Sequence, residues 1–194
     1  MNAPNLTGTA LANGGAKRRD LDFYPTPANV THALCQFLTA AGVLRPTDTV
    51  WEPACGEGHM AQVLAEYTAY VISTDIADTG YADEVVDFLG DSSNLADAII
   101  TNPPFSLSEG FIRKAIDEAP VVAMLLKSQY WHASKRTKLF NQHPPAFVLP
   151  LNWRPDFYMG EKGGSPTMEV AWSVWVEGAQ DTRYKILQKP AEAL

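Results

Sequence analysis

The sequence has 194 residues, of which 46% are hydrophobic and 19% are charged, with a formal net charge of −7 at pH 7. This length suits one domain with a sizeable core. No run approaches the roughly 18 apolar residues of a membrane span, which excludes an integral membrane protein. The first residues do not resemble a signal peptide, and Cys35 and Cys55 have neither zinc-site nor disulfide-framework spacing. We therefore expect a cytoplasmic protein without a metal.

The charge is distributed unevenly along the chain. Residues 44–120 include 14 acidic and 3 basic side chains, whereas residues 127–189 include 9 basic and 5 acidic ones. Clustered basic residues are typical of surfaces that bind nucleic acids. A polyanion is therefore expected to meet the C-terminal part of the chain, or the "KRR" cluster at 17–19, and to avoid the middle. The alternative is that "KRTK" at 135–138 is a solvated surface.

The first elements are an arm, an extended segment and a helix. Residues 1–19 are rich in Gly, Asn, Ala and Thr, which predicts a disordered N-terminal arm. "DFYPTPA" follows as an extended segment stiffened by two prolines. "ANVTHALCQFLTAAG" then predicts a helix that ends near Gly42. One face of this helix has apolar side chains at Val30, Leu34, Phe37 and Leu38.

The remaining sequence predicts a sheet. The apolar runs in "DTVWEP", "AYVISTDI", "ADAIITNPPF" and "PVVAMLLK" alternate with the helical patterns "HMAQVLAEY" and "SEGFIRKAIDEA". Continuous apolar strands between helices indicate a parallel sheet covered on both faces. Towards the C-terminus, "PAFVLPL" and "MEVAWSVWVEG" are joined by a loop without a helical pattern, which predicts an antiparallel hairpin. We expect one α/β domain over residues 20–194, with a mostly parallel sheet closed by this hairpin.

Two candidate ligand-binding motifs follow the first two strands of the sheet. In open α/β sheets, ligands bind at the carboxyl ends of the strands. In "WEPACGEG", Gly56 and Gly58 allow a tight turn with the backbone close to a ligand, although a plain strand-to-helix turn is the alternative. Asp75 closes the next strand, 23 positions after Glu52. An acidic residue at about this separation typically accepts hydrogen bonds from ribose hydroxyls.

A third motif, "VDFLGD", completes the predicted ligand pocket. Asp87 and Phe88 suit the amino group and the ring face of adenine, although a purely structural role is the alternative. The chain has no GxxxxGK[ST] motif, and its glycine turn has no basic residue to meet a phosphate. The three motifs together predict an adenosine-containing ligand without phosphate, which points to S-adenosylmethionine.

The stretch "TNPPF" carries the candidate catalytic residues, Asn102, Pro103, Pro104 and Phe105. The prolines force a turn at the end of a strand. An amide oxygen and a neighbouring carbonyl oxygen are two acceptors, which complement an exocyclic amine with two N–H bonds. They would stabilise the positive charge that grows on this amine as it is methylated. Phe105 would stack on the flipped-out base that carries the amine; the alternative is an asparagine turn with a buried phenylalanine.

The motifs "DFYPTP", "WEPACGEG", "STDI", "VDFL" and "TNPPF", in this order over residues 20–130, resemble those of the amino-methylating S-adenosylmethionine-dependent methyltransferases. Within this family they are most similar to DNA N6-adenine methyltransferases of the gamma arrangement, with short phage- or prophage-encoded members closest. The resemblance implies the class I, Rossmann-like methyltransferase fold and the catalytic loop described above. By the same resemblance, the residues that bind S-adenosylmethionine are Phe23, Tyr24, Thr26, Pro27, Glu52, Pro53, Ala54, Cys55, Gly56, Gly58, Asp75, Ile76, Asp87, Phe88 and Asn102.

The chain departs from this family in having no room for a separate target-recognition domain. Recognition of duplex DNA is therefore expected from loops within residues 127–169, with a short or relaxed target site. Lys135, Arg136 and Lys138 are candidates for phosphate contacts, and Arg154 could read a guanine edge or a phosphate. The aromatic candidates, which could stack on the flipped base, fill its vacated place or instead cap the core, are Trp153, Phe157 and Tyr158.

Several alternatives stay open at this point. The same chemistry could act on cytosine N4, on a guanine in RNA, or on a glutamine side chain in a protein. A different class of protein would be a cofactor-binding module that regulates without catalysis, although the complete NPPF set argues against it. The sequence leaves open whether the protein is a monomer or a homodimer. It also leaves open whether the role is restriction-modification, defence evasion or gene regulation.

Overall fold

The computed structural model describes residues 24–158, 166 and 168–191. The arm predicted at 1–19 and the residues at 159–165 and 167 of the predicted recognition loops lie outside the described residues. Across the described ranges, no helix is long and apolar enough to cross a membrane.

Within the described residues, eight strands form one sheet in the order β3-β2-β1-β4-β5-β7-β6-β8. The first five strands pair in parallel, whereas β7 is antiparallel to both of its neighbours, β5 and β6. The predicted mostly parallel sheet with a closing antiparallel hairpin is thereby confirmed. The strands are β1 (Thr49–Glu52), β2 (Tyr70–Asp75), β3 (Glu84–Val85), β4 (Ala98–Thr101), β5 (Val121–Lys127), β6 (Phe147–Pro150), β7 (Val170–Val176) and β8 (Arg183–Tyr184).

In the part of the chain that the structure describes, the sheet is accompanied by four α-helices: α1 (Ala28–Ala40), α2 (His59–Leu64), α3 (Ser108–Glu118) and α4 (Thr137–Gln142). Two short 3-10 turns, Ser128–Trp131 and Ser134–Arg136, connect β5 to α4. Helix α1 ends as predicted, because Gly42 has the left-handed φ of 68° that glycine tolerates.

The sheet is buried on both faces by two apolar clusters. Ile100 of β4 and Leu125 of β5 pack with α1 and α2, whereas their neighbours Ile99 and Met124 pack with α3. Successive strand residues point to opposite faces of the sheet, and here apolar side chains cover both faces. This explains why β4 and β5 read as continuous apolar runs and not as alternating ones.

Two short strands differ from the sequence expectation. Strand β3 was not predicted, and residues 88–91 of the "VDFLGD" motif that follows it form a turn. The turn forms because Asp87 Oδ1 accepts a hydrogen bond from the Leu89 N–H group, and the Asp87 carbonyl accepts one from Gly90. Strand β8 was not predicted, since its two residues carry no periodic pattern.

Candidate active site at the carboxyl edge of the sheet

The parallel strands deliver the predicted polar residues to one edge of the sheet. Glu52 is the last residue of β1 and Asp75 the last of β2. Asn102 directly follows β4, and Asp87 lies two positions after β3. Because parallel strands end at the same edge, these four side chains surround a common space.

That space is a cavity of about 240 Å³. Four acidic side chains, those of Glu52, Glu57, Asp75 and Asp87, are in its wall, and no lysine or arginine is among its described lining residues. Its other lining residues are Tyr24, Pro25, Thr26, Pro53, Ala54, Cys55, His59, Met60, Ile76, Ala77, Thr79, Phe88, Asn102, Pro104, Leu107 and Phe111.

The amide of Asn102 is held in one orientation. Its Nδ2 donates hydrogen bonds to the Tyr24 carbonyl oxygen at 3.2 Å and to Thr26 Oγ1 at 3.0 Å. A backbone carbonyl can only accept, so the nitrogen must face Tyr24. The Asn102 Oδ1 atom is then buried without a hydrogen-bond partner among the described residues. A buried acceptor without a donor is unfavourable, and a ligand amine could satisfy it.

Glu52 is a second buried polar side chain with an atom that lacks a hydrogen-bond partner among the described residues. Its side chain is 2% exposed, and Oε2 has no partner among the described residues. Burial raises the pKa of Glu52 well above its usual range, and the nearby Asp75 carboxylate raises it further. The hydrogen bond from the Ala61 N–H group opposes this shift without cancelling it. Glu52 is thus poised to hold a proton, or to pair with a cation brought by a ligand.

The glycine turn is held by contacts with Asp75, Thr79 and Tyr81. Asp75 Oδ2 accepts a hydrogen bond from the Gly56 N–H group at 2.8 Å, and the Thr79 hydroxyl donates to the Gly56 carbonyl. Gly58 has a φ of 82°, and a Cβ atom there would lie 2.3 Å from the Tyr81 ring. Glycine is therefore required at position 58 because the Tyr81 ring lies close to it. The sequence had instead predicted that a ligand lies close to this turn.

The turn after β3 forms another part of the wall. The Phe88 ring is 2% exposed and packs edge-on against Trp51, with their centroids 5.0 Å apart. Lys114 of α3 holds this turn by donating to the carbonyl oxygens of Gly90 at 2.7 Å and Ser92 at 2.6 Å. The position of Asp87 and Phe88 is consequently fixed from outside the cavity.

Aromatic side chains gather beside the turn after β4, which contains Asn102 and Phe105. The Tyr24 ring contacts three others: Phe105 at a centroid distance of 5.8 Å, and Phe157 and Tyr158 at 6.3 Å each. Phe157 is 1% exposed and belongs to the core. Its ring is thus inaccessible to a DNA base in this conformation, whereas Phe105 and Tyr158 are half-buried.

The basic residues predicted to contact DNA have different surroundings. Lys135 and Lys138 are exposed. The Arg136 guanidinium lies 3.7 Å from the centroid of the Tyr130 ring and donates to the Tyr130 carbonyl. Arg154 is exposed but pairs with Glu169. Trp153 is half-buried against the core.

Most predicted cofactor-binding residues line the same cavity. The exceptions among described residues are Pro27, which precedes α1, and the two glycines, Gly56 and Gly58. Phe23 lies outside the described residues. The lining residues that were not predicted are Pro25, Glu57, His59, Met60, Ala77, Thr79, Leu107 and Phe111. Glu57 lies within the glycine motif, and His59 and Met60 begin the helix after it, so their positions were a usable signal, whereas the position of Thr79 gave none.

No metal-binding cluster is evident at this edge or elsewhere in the described ranges, where no group of three His, Cys, Asp or Glu side chains is placed to hold an ion. No protein-family model matches the sequence, and a search of curated proteins finds no match.

Solved structures with similar folds share little sequence with this chain. A Pyrococcus horikoshii protein assigned as an RNA methyltransferase superposes with a TM-score of 0.66 at 16% identity, covering 80% of this chain and 87% of that one. A methyltransferase subunit of a type I restriction-modification system from Streptococcus thermophilus has a TM-score of 0.64 at 11% identity, covering 84% of this chain and 47% of its own.

A third similar structure is magnesium protoporphyrin IX methyltransferase from Synechocystis, solved with bound S-adenosylmethionine. Its TM-score is 0.52 at 14% identity, with 76% of this chain and 79% of that chain covered. At such identities the likeness concerns the fold. The chain therefore has the class I, Rossmann-like methyltransferase fold.

Proposed function

We propose that the protein is a methyltransferase that transfers a methyl group from S-adenosylmethionine to the N6 amine of adenine in DNA. The observation that carries this proposal is the orientation of Asn102. Its amide nitrogen is committed to Tyr24 and Thr26, so its oxygen is an acceptor kept for a ligand. An amine is the group that such an acceptor complements.

The cavity beside Asn102 suits S-adenosylmethionine in charge. This molecule has a sulfonium and an ammonium group and no phosphate, and the described lining has four carboxylic side chains and no lysine or arginine. A dinucleotide would bring a pyrophosphate into an acidic wall, which is unfavourable. Oε2 of Glu52, buried and unpartnered, is the acceptor we assign to the ammonium group.

The remaining contacts follow from the positions of the side chains. The two carboxylate oxygens of Asp75 accept hydrogen bonds from the N–H groups of Gly56 and Ala77. Each oxygen has a second lone pair that can accept from a ribose hydroxyl. Asp87 and Phe88 are in the wall formed by the turn after β3, where an adenine amino group and ring would lie. The fixed turn reduces the entropy that is lost on binding.

During methyl transfer, the Asn102 side chain would act on the target amine. When bound, S-adenosylmethionine supplies an electrophilic methyl group on sulfur. Asn102 Oδ1 would accept one N–H of the amine, which orients the nitrogen lone pair and stabilises the positive charge growing there. The surplus proton then passes to water. A preorganised amide needs no reorientation during this step, because Tyr24 and Thr26 already hold it.

The substrate assigned here is DNA, and the base that receives the methyl group is adenine. The order of motifs ending in "TNPPF" supports adenine, and the half-buried Phe105 and Tyr158 beside Asn102 offer rings for a flipped base. A similarly folded protein is a type I restriction-modification methyltransferase subunit, which adds support for DNA. Stacking on such rings offsets part of the few kcal/mol lost when a base leaves the duplex.

Transfer of a radiolabelled methyl group tests the substrate class. The protein would be incubated with labelled S-adenosylmethionine and, separately, with duplex DNA, structured RNA or a mixed protein extract. We expect label in DNA, and we expect S-adenosylhomocysteine to suppress it by competition. Label confined to RNA or protein would overturn the DNA assignment. Cofactor binding without any transfer would favour a non-catalytic regulator.

A further inference from the structure

Lys127 lies close to Phe105, the last residue of the "TNPPF" motif. It is the last residue of β5, which pairs in parallel with β4 so that Met124 lies opposite Thr101. Strand β4 ends at Thr101, so β5 continues for three more residues. At ~3.3 Å per residue this extension carries Lys127 ~10 Å beyond the end of β4. Its side chain is half-buried.

The ammonium group of Lys127 lies over the ring of Phe105. The Nζ atom is 4.2 Å from the ring centroid, a distance typical of a cation–π contact. Phe105 is also the ring assigned to stack on the flipped base, and its other aromatic neighbour is Tyr24. A positive charge is thus held directly beside the predicted stacking surface.

We propose that Lys127 binds a backbone phosphate of the flipped nucleotide, and so couples DNA binding to the stacking ring. The inference rests on the proposed function. A flipped base would enter the cavity with its amine directed at Asn102, so the backbone phosphates of that nucleotide would stay outside the cavity. The cavity wall is acidic, whereas Lys127 puts a cation over the ring of Phe105, which directly follows the lining residue Pro104. The contact would also select a nucleotide over a glutamine side chain.

The other basic candidates at this edge contact other groups and not the stacking ring. The Arg136 guanidinium packs on Tyr130, and Arg154 pairs with Glu169. Neither of them lies over Phe105. Lys127 differs from both because its position relative to the stacking ring is set by a core strand. Phosphate contacts position the nucleic acid without reading its sequence, so Lys127 should act equally on all target sequences.

The test is the salt dependence of DNA binding by three variants. Dissociation constants for a fluorescein-labelled duplex would be measured over a series of salt concentrations. For Lys127→Met we expect about 10-fold weaker binding at low salt, because a charged hydrogen bond is lost. We also expect the slope of log K against log salt to fall in magnitude by about 1. Lys127→Arg keeps the charge and should keep the slope.

The matched control is Lys185→Met. Lys185 also lies over a phenylalanine, with Nζ 5.7 Å from the Phe37 centroid, but it follows the edge strand β8. This variant should bind DNA with the wild-type affinity and slope. Folding of each variant is checked by its affinity for S-adenosylmethionine, since Lys127 does not line the cavity.

The outcomes separate the two proposals. A Lys127→Met variant that binds the cofactor normally and keeps the wild-type slope would overturn the role of Lys127 alone. A wild-type protein that shows no salt-dependent DNA binding would overturn both. A slope reduced in Lys127→Met but not in Lys127→Arg or Lys185→Met supports the phosphate contact, since a merely structural change would not alter counterion release.

Discussion

Asn102 and Thr26 are 76 positions apart in the chain, yet the Asn102 Nδ2 atom lies 3.0 Å from Thr26 Oγ1. Thr26 belongs to the proline-flanked segment before α1, and Asn102 to the turn after β4. The hydrogen bond therefore ties the N-terminal segment to the turn after β4 and fixes the orientation of the Asn102 amide, whose oxygen we propose accepts from the target amine.

Thr26→Val tests the importance of this orientation. Valine keeps the shape but removes the acceptor, so one of the two bonds that hold Asn102 is lost. We expect kcat to fall about 10-fold, the equivalent of ~1.4 kcal/mol, with a smaller change in cofactor affinity. Thr26→Ser, which keeps the hydroxyl, should recover most of the rate. Measured kcat values that are equal in the wild type and Thr26→Val would contradict this account.

Glu52→Gln is expected to change stability and binding in opposite directions. The pKa of Glu52 is raised in the folded protein, so the folded state binds this proton more tightly than the unfolded state. Wild-type stability should then fall as the pH rises from about 4.5 towards the raised pKa, by at most about 1.4 kcal/mol per pH unit. Glutamine cannot ionise, so the variant should gain relative stability across this window.

Urea unfolding of both proteins at several pH values checks the first part, and calorimetry with S-adenosylmethionine checks the second. The variant should bind the cofactor more weakly, because a neutral amide replaces the partner of the ammonium group. Parallel stability profiles for the two proteins would show that Glu52 titrates normally.

Gly58→Ala is predicted to destabilise the fold more than Gly42→Ala. Both glycines have positive φ, 82° and 68°, so alanine is strained at each by ~1–2 kcal/mol. At Gly42 a Cβ atom meets nothing within 4 Å, whereas at Gly58 it would meet the Tyr81 ring. We expect an additional loss of about 1 kcal/mol at most for this overlap, because the Tyr81 side chain is 37% exposed and can shift partly aside.

The free energy of unfolding, measured in urea, gives both values. Combining Gly58→Ala with Tyr81→Ala should remove the steric part and leave the backbone strain. Equal losses for Gly42→Ala and Gly58→Ala would mean that the Tyr81 ring moves aside at little cost.

Both cysteines should react slowly in the native protein. Burial raises the pKa of Cys35 and of Cys55 to about 12, although Cys55 lines the cavity. Because the thiolate is the reactive form, labelling at pH 8 should be at least about 100-fold slower than in the denatured chain. A time course with a thiol reagent, with and without denaturant, measures this. Rapid modification of one native cysteine would contradict the assigned environment.

The sequence predicted the sheet well because its strands are buried on both faces. The runs that became β1, β4 and β5 are apolar throughout, and such runs between helical patterns have few other interpretations. The short edge strands β3 and β8 were not predicted, because two residues carry no periodicity. Asp87 accepts a hydrogen bond from the Leu89 N–H group and so stabilises the turn within "DFLGD". Such a local contact has no periodic pattern in the sequence.

The candidate site was predictable where residues follow strand ends. Glu52, Asp75 and Asn102 meet because parallel strands share one carboxyl edge, and this follows from topology alone. The contacts of Thr79 and Tyr81 with the glycine turn were not predictable, since they depend on how a long loop folds back. The burial of Phe157 depends on tertiary packing, so the sequence left open whether this ring caps the core or meets a base.

The most direct measurement is the nucleoside composition of DNA treated with S-adenosylmethionine and either the wild type or Asn102→Ala. Asn94→Ala, a half-buried asparagine before β4, is the matched control. Mass analysis should find N6-methyladenine with the wild type and the control. Asn102→Ala should bind the cofactor and yield at least roughly 100-fold less product, since a preorganised electrostatic contact is lost. Full transfer by Asn102→Ala, or methyl groups on another base, would contradict the central claim.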